Sequence, residues 1–181
     1  MDKKVEIKIR EKAKKGFDLG FELESKYGEC PQVTTRALQI IYDELNDDIF
    51  QYVGFLAGGG GCQSDGSCGA YCAGLMFLSS KYGRTIKDIE TLDEEGLLKI
   101  REKNIPIQQK LHEKFIQEYG TIICQGIHRK LMGRPFWAID PHDLKLFLDM
   151  GGHEKVCPNV VGNAVKWTIE IYEEACAEKF K

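Results

Sequence analysis

The sequence predicts an all-α fold, a single-domain helical bundle of about six or seven helices with a glycine-rich loop that carries cysteines. Apolar residues recur at spacings of three and four in several segments, and no stretch alternates convincingly with period two. Glycines and Cys-Pro pairs mark the boundaries of these segments. A length of 181 residues suits one domain with a sizeable core, so we expect residues 1–181 to form a single unit.

The first predicted helix covers residues 2–27. Its apolar positions follow the helical spacing, and its other face is strongly charged. Gly28 stands where a helix usually ends. The apolar positions are Val5, Ile9, Ala13, Phe17, Gly20 and Phe21.

The pair Cys30-Pro31 opens the second predicted helix, because proline is favoured in a first turn where its missing N–H would have no partner. Val33, Leu38 and Ile41 lie on its apolar face. Asn46-Asp47-Asp48 breaks the pattern, and a short apolar segment follows over residues 49–57.

Four consecutive glycines, residues 58–61, begin a loop that runs through Cys62 to Cys68. Glycine lets the backbone approach a ligand closely, so we expect Gly60, Gly61 and Gly69 to contact a cofactor. A small and nearly all-apolar helix is predicted over residues 70–82, which favours a central position in the bundle.

The C-terminal half is predicted as two long helices around an irregular segment. Residues 84–104 are polar with weak helical character, and Pro106 is expected to begin a long helix that passes Gly120 and Cys124 with a kink. Residues 132–156 are expected to be irregular apart from a short helix near 143–150. Cys157-Pro158 opens the last helix in the same way as Cys30-Pro31.

Composition narrows the class of function. The chain contains 25 Lys and Arg residues and 28 Asp and Glu residues, which gives a net charge of -3. It therefore lacks the broad basic surface that is typical of nucleic-acid-binding proteins. The N-terminus lacks the apolar region of a secretory signal, and no stretch approaches about 18 uninterrupted apolar residues. We therefore expect a cytoplasmic protein without membrane contact.

Seven cysteines, an odd number in a chain with no export signal, make a complete disulfide framework improbable and favour metal or redox chemistry. Buried, inert thiols are the alternative, since free cysteine is often a core residue. The spacing of the cysteines does not identify a known metal or redox motif, because the chain has neither a Cys-x-x-Cys pair nor the cysteine spacing of a ferredoxin.

Three cysteines share one predicted setting, because Cys30, Cys68 and Cys157 all lie at or near a helix N-terminus. Unpaired N–H groups and the positive end of the helix dipole favour a thiolate there, so we expect lowered pKa values. The same geometry suits an anionic metal–sulfur cluster, and Cys124 would add a fourth ligand from another helix.

These residues resemble the C_GCAxxG_C_C family, which is regarded as redox-active. Cys30 opens a helix as the family's first cysteine does, and the segment from Cys68 through Gly69 and Ala70 to Lys81-Tyr82-Gly83 matches the signature. Cys124 and Cys157 match the third and fourth cysteines, so the resemblance spans most of residues 10–175. Ala73 stands where the signature has glycine, and Gly74 follows one residue later.

The resemblance implies an iron–sulfur site on Cys30, Cys68, Cys124 and Cys157 that serves electron transfer with an unidentified redox partner protein. Cys62 and Cys72 are candidates for additional ligands, although a core position is favoured for Cys72. A cofactor-free thiol–disulfide oxidoreductase, a structural zinc–thiolate site and a binding module with inert thiols stay open as alternatives. Whether the chain is an enzyme and whether it forms a homodimer also stay open.

The sequence gives weaker predictions for the positions of the four histidines. His112 and His128 are expected to face solvent beside charged neighbours on their helices. His142 and His153 lie in the irregular segment before Cys157, where a surface position is favoured over a hydrogen bond to the site.

Overall fold

A computed structural model describes residues 2–43 and 45–179 of the chain, with side chains through residue 177. This described part contains nine α-helices and no β-strand, so the all-α prediction is confirmed and the expected number of helices was too low. No helix in the described ranges combines the length and apolarity needed to cross a bilayer. The helices are α1 (Lys3–Tyr27), α2 (Cys30–Tyr42), α3 (Asp48–Tyr52), α4 (Gly69–Tyr82), α5 (Ile86–Thr91), α6 (Glu94–Tyr119), α7 (Cys124–Met132), α8 (Pro141–Asp149) and α9 (Cys157–Lys179).

Helices α1 and α9 form a close antiparallel pair. Gly16 of α1 leaves no room for a side chain, because a Cβ there would lie 2.3 Å from the Cδ1 atom of Ile169. One turn later, a Cβ on Gly20 would lie 3.0 Å from a methyl group of Val165. Small residues at these positions bring the two backbones together, and this pairing aligns the end of α1 with the start of α9.

Helix α4 lies at the centre of the bundle and packs against α2, α6 and α9. It is apolar on nearly all sides, as its sequence predicts for a central helix. The core around it consists of fully buried side chains from five helices. They include Ala13, Leu38, Phe77, Leu78, Leu111, Phe115, Val161 and Ile169.

The predicted boundaries of α6 were wrong at both ends. The helix begins at Glu94, where Asp93 accepts a hydrogen bond from the backbone N–H of Gly96, and it continues through Pro106. A proline removes one backbone hydrogen bond, and the helix-favouring residues on both sides maintain the helix. Gly120, in a left-handed conformation, ends α6, and α7 is a separate helix that begins at Cys124.

Two short helices account for most of the remaining difference in number. Helix α3 and a 3₁₀ turn at Gly54–Gly59 occupy the segment read as short and apolar. Helix α5 begins with a reciprocal cap, in which the Thr85 hydroxyl accepts from the Asp88 N–H and the Asp88 carboxylate accepts from the Thr85 N–H. Such caps stabilise helices too short for an apolar face to be recognised in sequence.

Candidate functional site

The glycine loop folds tightly on itself between the 3₁₀ turn and α4. Gly58, Gly59, Gly60 and Gly61 all have positive φ, a conformation that glycine adopts without steric cost. The loop packs so closely that a Cβ on Gly66 would lie 2.2 Å from the carbonyl oxygen of Gly59. The run of glycines is therefore required by the path of the backbone.

Backbone hydrogen bonds join this loop to the start of α7. The N–H of Cys124 donates to the Gly66 carbonyl at 3.0 Å, and the N–H of Gln125 donates to the Ser64 carbonyl at 2.8 Å. In the other direction, the N–H of Cys68 donates to the Ile122 carbonyl at 2.8 Å. These bonds hold the starts of α4 and α7 side by side, with one cysteine on each.

The four predicted ligand cysteines meet in one cavity. Cys30, Cys124 and Cys157 are the first residues of α2, α7 and α9, and Cys68 immediately precedes α4. All four line the same cavity of about 260 Å³, and Cys62 of the glycine loop joins them. The sulfurs therefore come together from four helix starts that are separated by up to 127 residues in the chain.

The expectation of a lowered pKa was wrong for Cys30 and Cys157. A hydrogen bond from the Cys30 thiol to the Cys68 sulfur, followed by burial, raises the pKa of Cys30 and outweighs the opposing effect of the Gly58 backbone. Burial raises the pKa of Cys124 to about 12, and burial followed by the charge of Glu24 raises the pKa of Cys157. Carbonyl groups already occupy the N–H groups at the starts of α4 and α7, so these helix ends have less capacity to stabilise a thiolate.

A carboxylate and two imidazoles line the same cavity. Glu24, in the last turns of α1, is 1% exposed, and one of its oxygens lies 3.5 Å from Nδ1 of His153. His128 of α7 is 8% exposed, and its Nε2 atom lies 3.7 Å from the sulfur of Cys157. Three buried side-chain atoms in the described residues lack a hydrogen-bond partner, and all three belong to these residues: Oε2 of Glu24, Nδ1 of His128 and Nδ1 of His153.

The prediction that His128 faces solvent was therefore wrong. Its ring packs among aromatic neighbours, with centroids 6.0 Å from Phe136 and 5.1 Å from Phe147. Burial, followed by the positive charge that His153 can carry, lowers the pKa of His128 to about 4. The imidazole is thus neutral at physiological pH, with one N–H and one lone pair.

His153 reaches the cavity from a π-helical turn at Gly152–Val156 that runs directly into α9. Gly152 permits this approach, because a Cβ there would lie 2.3 Å from the ring of Phe147. The Phe147 ring in turn makes an edge contact with His153 at 5.1 Å. Turns of this type occur often at functional sites, where they redirect a side chain.

Other predicted site residues lie outside the cavity wall. Gly60 and Gly61 do not line it, whereas Gly58 does. Gly69 packs against the site from behind, since a Cβ there would lie 2.8 Å from the Cys30 sulfur. Cys72 faces a different groove between α4 and α6.

Glu24 is the site residue that the sequence analysis missed. The inner stripe of α1 passes through Ile9, Ala13, Gly16 and Gly20, and the next position in that register is Glu24. A charged residue that continues an apolar stripe is the signal that was available, because buried carboxylates occur almost only with a partner.

The cavity contains ligands of the kind that bind metals, without the geometry of a single-ion site. In the part of the chain that the structure describes, no three His, Cys, Asp or Glu side chains are placed to hold one metal ion. The cysteines instead help to line a cavity whose volume is several times the roughly 30 Å³ that one water molecule occupies. All seven cysteines lie in the described ranges, and all are free thiols.

Comparison with known proteins returned one family. A family model described as "Putative redox-active protein (C_GCAxxG_C_C)" matches residues 28–171, a segment that contains all the cysteines of the cavity. Neither the curated proteins nor the solved structures gave a match.

Proposed function

Because this chain belongs to the C_GCAxxG_C_C family, we propose that it is a redox protein whose cofactor is an iron–sulfur cluster bound by Cys30, Cys68, Cys124 and Cys157. The observation that carries the proposal is the presence of all four sulfurs in one cavity. Cysteine thiolates are the usual ligands of such clusters. When bound, the cluster would accept and donate single electrons.

The size and surroundings of the cavity support a cluster over a single zinc ion. Zinc requires four ligand atoms, each about 2.0–2.3 Å from one point. The described side chains do not converge in that way, whereas a cavity of about 260 Å³ suits sulfurs spread around a larger group. Gly58 lines the cavity beside these cysteines, where its backbone is close enough to supply the kind of N–H contact to sulfur that tunes cluster potentials.

The protein's own residues would exclude water and hold the sulfurs in place. Ile127, Phe136 and Val160 line the cavity with apolar surface, and the loop bonds fix Cys68 relative to Cys124. Raised thiol pKa values mean that the metal itself would displace the protons, as metal ligation does elsewhere. An electron carrier also needs a redox partner protein, and seven free cysteines support a reducing compartment such as the cytoplasm.

The test is anaerobic reconstitution with ferrous iron and sulfide under reductant, followed by analysis of iron, acid-labile sulfide and visible absorbance. We expect the wild-type chain to become brown and to bleach reversibly with dithionite. Single substitutions Cys30→Ser, Cys68→Ser, Cys124→Ser and Cys157→Ser should each lose most of the bound iron. Cys176→Ser is the matched control, since Cys176 lies beside Tyr82, outside the cavity, and it should retain wild-type iron.

Absence of bound iron in the wild-type chain, or wild-type amounts of iron in the four cavity variants, would refute the cluster. The Cys62→Ser variant shows whether the fifth sulfur of the cavity is a ligand as well. Full retention of iron would assign the cluster to the other four, and loss would add Cys62 to the ligand set.

A second candidate function is cofactor-free thiol–disulfide exchange, and the presence of Cys30 and Cys68 in the lining of one cavity favours it. Exchange requires an accessible thiolate, and the raised pKa of Cys30 opposes this. Rapid alkylation of metal-free protein at pH 7, confined to Cys30 or Cys68, would support exchange. Slow alkylation together with iron binding would favour the cluster.

A further inference from the structure

The cavity contains more polar groups than a set of four cysteine ligands requires. Glu24, His128 and His153 each present an atom with no hydrogen-bond partner, and these are the three unpartnered buried side-chain atoms in the described residues. A buried polar group without a hydrogen-bond partner destabilises the folded chain. Three in one cavity indicate a binding site for a ligand that supplies their partners.

The charges around the cavity favour a cation. Glu24 and Glu29 line it together with five cysteines, and no lysine or arginine of the described residues is among the lining side chains. The guanidinium of Arg134 stacks on Phe136, but its charge is paired with Asp143 at 2.6 Å. His153 can pair with the Glu24 carboxylate only while its imidazole is protonated, and beside a neutral imidazole a cationic ligand would complete the site.

The distances favour hydrogen-bond donors over a second metal. Oε1 of Glu24 lies 3.5 Å from Nδ1 of His153, so both can contact one nitrogen at about 2.9 Å, and Oε2 of the same carboxylate has no partner of its own. A metal would need these atoms at about 2.0–2.2 Å, and no three ligating groups of the described chain are placed for one. An ammonium group has three donors and no acceptor, which matches three acceptors.

The aromatic wall completes the match. Phe136 and Phe147 lie 5.6 Å apart beside the two imidazoles and offer ring faces and edges within the same cavity. Aromatic faces attract ammonium groups, most strongly where water is excluded. In the tautomer that has its hydrogen on Nε2, the atom 3.7 Å from the Cys157 sulfur, Nδ1 of His128 is an acceptor.

We propose that the part of this cavity lined by Glu24, His128 and His153 binds the ammonium group of a small primary amine, with these three side chains as hydrogen-bond acceptors. The site goes beyond the proposed function, since a pure electron carrier needs no organic ligand. It also does not require the cluster, because none of its three acceptors is a cysteine. The volume of about 260 Å³, shared with any cluster, limits the ligand to a few heavy atoms.

The probe is methylammonium chloride, titrated by calorimetry into the full chain at constant ionic strength, before and after reconstitution. We expect saturable binding, with shifts of the ring ¹⁵N signals of His128 and His153 in NMR spectra. Tetramethylammonium has the same charge without N–H donors, and it should bind at least tenfold more weakly. Glu24→Gln should weaken methylammonium binding at least tenfold, whereas Glu22→Gln, an exposed position two residues away, should leave it unchanged.

Equal binding by Glu24→Gln and the wild-type chain would overturn the proposal, as would equal binding of tetramethylammonium. Zinc binding that depends on Glu24, in the absence of methylammonium binding, would also overturn it by assigning the site to a metal. If Glu24→Gln does not fold, the comparison of the two cations and the ring ¹⁵N shifts of the wild-type chain decide the question. Failure of cluster reconstitution would refute the proposed function and leave the amine titration of the metal-free chain as a separate result.

Discussion

Helix α9 borders one polar region near its start and another toward its end, and the two regions differ in how completely their polar groups are paired. At its start, the cavity combines buried cysteines, imidazoles and a carboxylate, three of whose atoms lack partners. Toward its end, a tyrosine cluster of Tyr42, Phe77, Tyr82 and Tyr172 packs with ring centroids 5.0–6.1 Å apart. There, the Tyr42 hydroxyl donates to Glu173 at 2.9 Å and Lys12 pairs with the same carboxylate at 2.5 Å.

This contrast indicates that the tyrosine cluster contributes mainly to stability and the cavity mainly to binding. Polar groups in the tyrosine cluster complete one another, so they need nothing from outside. The polar groups of the cavity remain incomplete, and folding tolerates them at a cost in stability. Substitutions in the tyrosine cluster should therefore change unfolding most, and substitutions in the cavity should change binding most.

The largest expected effect comes from matched phenylalanine truncations. Phe77→Ala removes a fully buried ring of the tyrosine cluster and should lower the free energy of unfolding by about 3–5 kcal/mol. Phe147→Ala should cost less, because that ring already borders the cavity. Urea unfolding followed by circular dichroism measures both, and an equal loss for the two would contradict the contrast between the regions.

A smaller effect is expected for Gly152→Ala at the cavity wall. Its Cβ would overlap the Phe147 ring, and overpacking of this kind costs about 1–3 kcal/mol. The displaced ring should also disturb His153 and weaken methylammonium binding. Gly54→Ala is the control, since the Cβ there meets only the flexible end of Gln32. Unchanged unfolding and binding in Gly152→Ala would argue against a precisely fitted wall.

The cavity should make the metal-free protein sensitive to acid. The pKa of His128 is about 4 in the folded chain against about 6.5 when unfolded, so its contribution to stability is complete above pH 6.5 and is lost as the pH falls toward 4. Between pH 7.5 and pH 5 this loss amounts to about 2 kcal/mol. His128→Gln should remove that part of the pH dependence in urea unfolding, whereas exposed His142→Gln should retain it.

The tyrosine cluster should respond to alkali instead, with the smallest effect of the series. Tyr42→Phe loses the hydrogen bond to Glu173, which keeps Lys12, so we expect a cost of about 1 kcal/mol at pH 8. Burial and then Glu173 raise the pKa of Tyr42, so its stabilising contribution falls as the pH rises above about 10. Unfolding measured from pH 8 to 11 should therefore decline less steeply in Tyr42→Phe than in exposed Tyr27→Phe.

Sequence patterns were sufficient for the helices whose ends carry strong signals. Gly28 ends α1, and the Cys-Pro pairs begin α2 and α9, as local chemistry predicts. The same reasoning failed at Gly120, because a glycine inside a long apolar pattern can be tolerated or can end a helix, and the packing of the loop on α7 decides which. Pro106 misled in the opposite direction, since its α6 neighbours sustain the helix through it.

The site was predictable only in part for a related reason. Cysteines stand out in a sequence, and their positions at helix starts can be inferred from neighbouring Pro and Gly residues. Glu24 and His128 look like ordinary charged residues of amphipathic helices, and only the antiparallel packing of α1 on α9 and the aromatic wall bury them. Such burial depends on long-range contacts that no local pattern encodes.

The pairing of α1 with α9 has a consequence for how the chain is made. More than 150 residues separate the beginning of α1 from Cys157, and synthesis at about 5–20 residues per second needs roughly 8–30 seconds to cover them. During that interval the nascent α1 lacks its main partner, α9. Cys30, Cys68 and Cys124 are synthesised before Cys157 is available to complete the cavity. Biogenesis should therefore depend on protecting reduced thiols and an exposed amphipathic helix until translation is nearly complete.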